Sequence, residues 1–211
     1  MTVKEQSIVQ AEGSTIRTAD QEIRMVGKID EPLILILDNV LSSEECDALI
    51  ELAGDRMQRA KIGRSHAVSD IRTSSSMFFE ENENELIRTI ERRASELMNV
   101  PVSHAEPIQI LHYRPGEQYQ PHYDYFTSGH ADNNRISTLV MYLNDVEEGG
   151  ETVFPSLRLS VTPRKGSAVY FEYFYNDRLL NELTLHAGTP VTKGDKWVAT
   201  QWMRRQRYRY L

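Results

Sequence analysis

From about residue 101 onward the chain breaks into short strand-like pieces, each closed by a turn signal. "EPIQILHY", "RISTLVMYL", "LRLSVTP", "GSAVYFEYF", "PVTK" and "KWVATQWM" are rich in β-branched and aromatic residues. "RPGEQ", "VEEGGE", "PRKG", "YNDRLLN" and "KGDK" punctuate them. Several short strands at regular spacing indicate a sandwich, barrel or jelly roll. No internal repeat or low-complexity tract interrupts the pattern.

The first half reads differently. Residues 1 to about 28 are polar and weakly patterned, so a loosely held N-terminal segment is expected there. "EPLILILDNV" then carries an apolar run from Leu33 to Leu37 that reads as a buried strand. Ser42 and Glu45 have the spacing of a capping box, with Leu41 as its staple. Leu49, Ile50, Ala53 and Met57 follow at helical spacing, which predicts a helix over about 43–58. Leu86, Ile90, Ala94 and Leu97 predict a second helix over about 82–98. The polar stretch between them, "AKIGRSHAVSDIRTSSSMFF", reads as a long loop or hairpin of a type often tied to function. At 211 residues the chain suits one domain. Residues 29–100 would supply helical support and a substrate loop, and 101–211 the β core.

Composition narrows the partners. A net charge of −7 disfavours a general nucleic-acid binder or an anionic-membrane partner. The lone Cys46 provides no disulfide framework and points to a reducing compartment. No secretory h-region and no apolar run of roughly 20 residues is visible, so a cytoplasmic location is expected.

The chemistry centres on "QPHYDYF". In a strand, residues i and i+2 share a face, so His122 and Asp124 would point together and Tyr123 and Tyr125 away. If that face is buried, both polar groups need a partner. A metal ion is one, but two side chains hold it weakly, so a third ligand should lie further along. Of the six histidines, His66, His104, His112 and His130 read most simply as loop or sheet residues. His186 stands apart: it ends the alternating run "LTLHAG" late in the β region, and early and late strands of a jelly roll are spatial neighbours. Two histidines and a carboxylate form the facial triad of non-haem Fe(II) oxygenases. Lys196 would share an inward face with Val198, Thr200 and Trp202. A buried lysine is costly without a countercharge. A dianionic ligand could provide one; alternatively Lys196 is an exposed residue of the turn at "KGDK".

Taken together, "ILHYRPGEQYQPHYDYF", "RISTLVMYLNDVEEGGETVFP", "KGSAVYFEYF" and "LHAGTPVTKGDKWVATQWM" resemble the prolyl 4-hydroxylase family of 2-oxoglutarate- and Fe(II)-dependent dioxygenases. The match covers about residues 33–205, and the compact form resembles bacterial members. The resemblance implies an α+β, β-rich fold: a double-stranded β-helix (jelly roll) core with flanking N-terminal helices. It implies His122, Asp124 and His186 as iron ligands, and Lys196, Tyr113 and Thr152 as contacts to 2-oxoglutarate. Tyr119, Arg135 and Trp202 match positions near the peptide substrate, and Arg72 and Ser74 fall in the "RTS" of a substrate-covering segment. The implied reaction oxidises peptidyl proline to 4-hydroxyproline with dioxygen through a ferryl oxidant. It releases succinate and carbon dioxide, with L-ascorbate as reductant. The implied partner is a proline-containing peptide or protein, with a collagen-like chain or a homodimer both open.

Other readings of the same residues remain. Thr152, Trp202, Tyr113 and Tyr119 also suit ordinary strand packing. A related oxygenase with another substrate, a non-catalytic jelly-roll binding module and a zinc hydrolase use the same fold or ligands. The tail "RRQRYRYL" interleaves arginine with tyrosine in a way that could bind RNA, but reads more simply as a final strand with a solvated face.

Overall fold

Helix boundaries follow from local chemistry in the computed structural model, which describes residues 5–10, 12–59, 61–62, 67–68, 73–127 and 132–209. Strands β1 (Thr15–Arg17), β2 (Glu22–Asp30) and β3 (Leu33–Asp38) lead into helix α1 (Ser43–Ala53). The Ser42 hydroxyl accepts from the Glu45 amide and the Glu45 carboxylate accepts from the Ser42 amide, so the capping box is formed. The helix ends sooner than its apolar spacing suggests. Gly54 closes it, a short 3-10 turn follows over Gly54–Arg56, and Met57 is extended. Strands β4 (Gln58–Arg59), β5 (Lys61–Ile62), β6 (Ala67–Val68) and β7 (Ser75–Phe78) precede helix α2 (Glu85–Met98). Asn84 caps the start of α2, and Asn99, in the left-handed region, stops it.

The second half supplies β8 (Gln109–Tyr113), β9 (Tyr119–His122), β10 (Arg135–Tyr142), β11 (Glu148–Gly149), β12 (Thr152–Phe154) and β13 (Leu159–Val161). It ends with β14 (Ala168–Glu172), helix α3 (Arg178–Glu182), β15 (His186–Gly188), β16 (Val191–Lys193) and β17 (Lys196–Arg204). The "YNDRLLN" expected as a turn holds α3 because the Asp177 carboxylate accepts from the Leu179 amide at 2.8 Å.

Antiparallel pairing builds a large sheet, β1-β2-β3-β14-β10-β17-β8-β7-β4, and a smaller one, β13-β12-β15-β9. These are the two layers of the jelly roll. The period-2 alternation of the central strands separates two cores. From β10, Leu139 and Met141 pack towards the helices, where Leu49, Ile87, Ile90 and Leu97 meet them. From the same strand Tyr142 faces inward, joining Phe154, Phe171 and Val198 between the sheets. Both faces of β10 and β17 are covered, which is why those segments read as nearly unbroken apolar runs.

Within the expected loosely held segment over 1–28, the described residues 5–10 and 12–28 are instead held to the sheet and helices. β2 is nine residues long and pairs antiparallel with β3, from Arg24 opposite Asp38 to Asp30 opposite Leu33. The Ile8 and Val9 amides donate to the buried Glu172 carboxylate at 3.2 and 3.0 Å. β2 turns only a few apolar side chains inward, with Ile23 fully buried. A near-edge strand of this kind carries little hydrophobic signal. Arg93 of α2 ties the region down, bridging Asp20 at 2.9 Å and Glu45 at 2.7 Å while donating to the Val40 carbonyl. Among the described residues no helix is long and apolar enough to cross a membrane.

Candidate active site

Strands β9 and β15 are neighbours in the smaller sheet, and their register sets His122 directly opposite His186. The two rings approach to 4.3 Å between centroids. Asp124 joins them from an unexpected place. β9 ends at His122, so Asp124 lies in the bend beyond the strand and does not share a regular strand face with it. The bend still directs the carboxylate inward. Its Oδ1 lies 3.6 Å from His122 Nε2 and its Oδ2 3.6 Å from His186 Nε2. One ligand atom from each of the three falls within 4.8 Å of the others.

The protonation states suit a cation. His122 Nδ1 is 2.8 Å from the Gln120 carbonyl, and His186 Nδ1 is 3.0 Å from the Thr184 carbonyl. A carbonyl only accepts, so each Nδ1 carries the proton and each Nε2 presents a lone pair to the centre. Burial, reinforced by His122, pushes the His186 imidazole down to about 4, against the opposing pull of Asp124. Burial would raise the Asp124 carboxyl, but His186, His122 and Arg135 together outweigh it and hold it well below the usual carboxylate range. Two imidazoles with Nε2 turned to the centre and one ionised carboxylate make the donor set of a divalent metal site with open positions.

The cavity at these ligands extends to Lys196, with Tyr113 and Thr152 in its wall. Lys196 is buried, and among the described residues no carboxylate lies within ion-pair distance of its Nζ. Burial pushes the ammonium down to about 8, countered only by the more distant Glu151. Aromatic faces attend it instead, Tyr113 at 5.4 Å and Tyr142 at 5.8 Å from ring centroid to Nζ. An uncompensated buried cation at one end of a cavity and a metal-ligand set at the other fit an anionic cosubstrate bridging them. The glycine pair of "EEGGE" makes room: Gly150 has φ +73°, and a Cβ there would lie 3.2 Å from Lys196 Cδ.

The other sequence-derived positions divide. Tyr119 and Trp202 are in the cavity wall, with Tyr119 stacked on His122 at 3.5 Å between centroids. Arg135 and Ser74 are not. Arg135 is clamped by Glu106 through two bonds of 2.7 Å, lies over the Trp202 ring at 3.8 Å and donates to the Asp124 carbonyl. Ser74 is sealed just before β7, its hydroxyl unpartnered among the described residues. Arg72, His66 and His130 lie outside the described residues. His104 and His112 have structural partners, the Arg204 carbonyl and the Asp195–Trp197 pair respectively. The arginine tail is divided: Arg205 and Arg207 are exposed as a solvated face would be, whereas Arg204 meets Glu106 and the fully buried Arg209 meets Glu91.

Three hydroxyl residues beside the site escaped the sequence reading. The Tyr142 hydroxyl donates to Thr152 Oγ1 at 2.8 Å, leaving the Thr152 proton available to the cavity. Thr138 donates to Asp124 Oδ2, and Tyr173 touches Thr138. The available signal was Thr138 and Tyr142 at alternate inward positions of an otherwise apolar strand.

Comparison with known proteins agrees with this geometry. The pattern of the 2OG-Fe(II) oxygenase superfamily matches residues 108–204. The chain is 40% identical over 206 residues to the probable prolyl 4-hydroxylase 10 of Arabidopsis thaliana, covering 85% of this chain and 71% of that protein. Prolyl 4-hydroxylase 5 of the same plant is 39% identical over 199 residues, covering 82% and 68%. Among solved structures, the viral collagen prolyl hydroxylase of Paramecium Bursaria Chlorella virus-1, as its 2OG complex, superposes with a TM-score of 0.66. It is 32% identical and covers 81% of this chain and 95% of that one. A Pseudomonas putida prolyl-4-hydroxylase shares the fold at a TM-score of 0.60 and 20% identity, covering 82% and 92%. With the double-stranded β-helix, the convergent ligand set and these relatives in hand, the chain belongs to the prolyl 4-hydroxylase family and is a 2-oxoglutarate- and Fe(II)-dependent dioxygenase.

Proposed function

We propose that the protein converts peptidyl proline to 4-hydroxyproline, inserting one atom of dioxygen and placing the other in succinate as 2-oxoglutarate loses carbon dioxide. The observation that carries this reading is the facial triad sharing one cavity with a buried lysine that has no ion-pair partner among the described residues. His122, Asp124 and His186 would hold Fe(II), which supplies dioxygen activation when bound. Lys196 meets the far carboxylate of 2-oxoglutarate as a point charge, and Tyr113 and Thr152 donate to the same group. Tyr142 fixes the direction of the Thr152 hydroxyl, so its proton faces the ligand and not the core.

Tyr119 and Trp202 form flat walls near the metal ligands, and a rigid pyrrolidine ring packs well on such faces. Arg135 acts at one remove, supporting the Trp202 indole from behind while bonded to Glu106. The plant relatives named as prolyl 4-hydroxylases and the viral enzyme named for collagen support a proline-containing peptide as substrate. L-ascorbate serves as the reductant that restores Fe(II).

Mass spectrometry of Pro-Pro-Gly and other proline-rich peptides, incubated with enzyme, Fe(II), 2-oxoglutarate and ascorbate, tests the proposal. The expected result is a gain of one oxygen on proline, matched by succinate. Succinate release with every peptide unoxidised would place the chain among oxygenases of another substrate.

A further inference from the structure

Of the three metal ligands, only the carboxylate has a choice of binding mode. An imidazole offers one lone pair, whereas a carboxylate can grip a cation through one oxygen or both. Both Asp124 oxygens lie within reach of the ligand cluster, Oδ1 at 3.6 Å from His122 Nε2 and Oδ2 at 3.6 Å from His186 Nε2. A second bond from Asp124 would close a position that the cosubstrate or dioxygen requires.

The chain holds one of those oxygens. Thr138 Oγ1 lies 2.8 Å from Asp124 Oδ2, and the same Oγ1 lies 2.8 Å from the Tyr173 hydroxyl. A ligating carboxylate only accepts, so the single Thr138 proton goes to Asp124. Tyr173 is then the donor to Thr138, and the direction of the chain is determined: Tyr173 to Thr138 to Asp124. Thr138 is fully buried, Tyr173 is 3% exposed and Asp124 8%, so bulk water is a poor substitute for either donor. The supports are rigid. Thr138 pairs with Phe171 of β14 on one side and Trp202 of β17 on the other, at the centre of the large sheet. Tyr173 continues the β14 chain, its amide bonded to the Ile136 carbonyl.

We infer that Thr138, itself oriented by Tyr173, is a positioning residue that engages Asp124 Oδ2 and leaves Oδ1 as the free ligand atom, so that the metal keeps three open positions. This rests on the reading of His122, Asp124 and His186 as the metal site. It completes a common pattern, since the imidazoles are also held through their second polar atom, by the Gln120 and Thr184 carbonyls. Outer hydrogen bonds of this kind orient metal ligands and tune affinity.

The test is titration of the metal-free, full-length protein with Co(II), following both affinity and the visible absorption of the bound ion. Thr138→Val, which keeps the shape and removes the hydroxyl, is expected to weaken binding roughly 10- to 100-fold. Its absorption band should change as Asp124 gains a second bond to the ion. Thr138→Ser restores affinity and spectrum, which a purely structural role for the side chain does not require. Tyr173→Phe moves both readouts in the direction of Thr138→Val by a smaller amount. Wild-type affinity and spectrum in Thr138→Val overturn the inference; if that variant does not fold, the same result in Tyr173→Phe overturns it. Failure of the wild-type protein to bind Co(II) overturns the metal-site reading as well, so the two outcomes are distinguishable.

Discussion

Lys196 stands opposite Tyr113 across the β8–β17 ladder, its Nζ 5.4 Å from the ring centroid. Burial lowers the ammonium to about 8 in the free enzyme, so the proton is lost as pH rises through that value. Binding a dianion then requires the proton to be taken back. The apparent KM for 2-oxoglutarate is expected to be flat below pH 8 and to rise above it, by about tenfold per pH unit. Lys196→Arg, which does not titrate in this range, should lose the rise even if its KM is higher throughout. A wild-type KM unchanged well above pH 8 would remove Lys196 from the cosubstrate site.

Removing either imidazole should empty the centre. His122→Ala and His186→Ala are expected to bind less than stoichiometric Fe(II) by elemental analysis and to lose turnover. His122 lines the cavity and belongs to neither hydrophobic core, so its replacement should leave the thermal midpoint of the metal-free protein nearly unchanged. Retention of one tightly held iron by both variants would contradict the ligand assignment.

Tyr142→Phe isolates the outer bond to Thr152. Among the described residues its hydroxyl bonds to Thr152 Oγ1 alone, and a neutral hydrogen bond is worth about 1 kcal/mol. Steady-state kinetics should show a KM for 2-oxoglutarate roughly fivefold higher, with kcat little altered. A fall confined to kcat would place Tyr142 in a different task.

Arg93 concerns stability alone. It is 4% exposed and balances the partly exposed Asp20 and Glu45, so Arg93→Ala leaves two like charges side by side and the buried Val40 carbonyl without its donor. Urea unfolding should show a loss of about 3–5 kcal/mol. A loss under about 1 kcal/mol, the range of exposed ion pairs, would mean that water already screens the cluster.

What could be read from the sequence was whatever local chemistry determines. The capping box at Ser42 and Glu45 involves residues three apart, and it formed as expected. His122 and His186 were legible as partners because their side-chain types are scarce and chemically specific, and the jelly roll brings β9 beside β15. The inward face of Lys196, Val198, Thr200 and Trp202 followed from simple alternation. Distant interactions without such scarce side-chain types were not legible. Nothing near Arg135 in sequence announces Glu106, and the pairing that draws the guanidinium behind Trp202 exists only in the fold. The strand β2 was missed because its outward residues are polar, and the anchor for residues 8 and 9 is Glu172, far along the chain. Asp124 was assigned to the right cluster by strand parity, although a bend carries it there.

Thr138 and Tyr142 belong to one uninterrupted strand, four residues apart. The first steadies the carboxylate at the iron end of the cavity and the second steadies the hydroxyl at the lysine end. Backbone pitch therefore holds their Cα atoms about 13 Å apart. β10 thus joins the two ends of the cavity through one rigid element, so a shift of the strand would disturb both supports together.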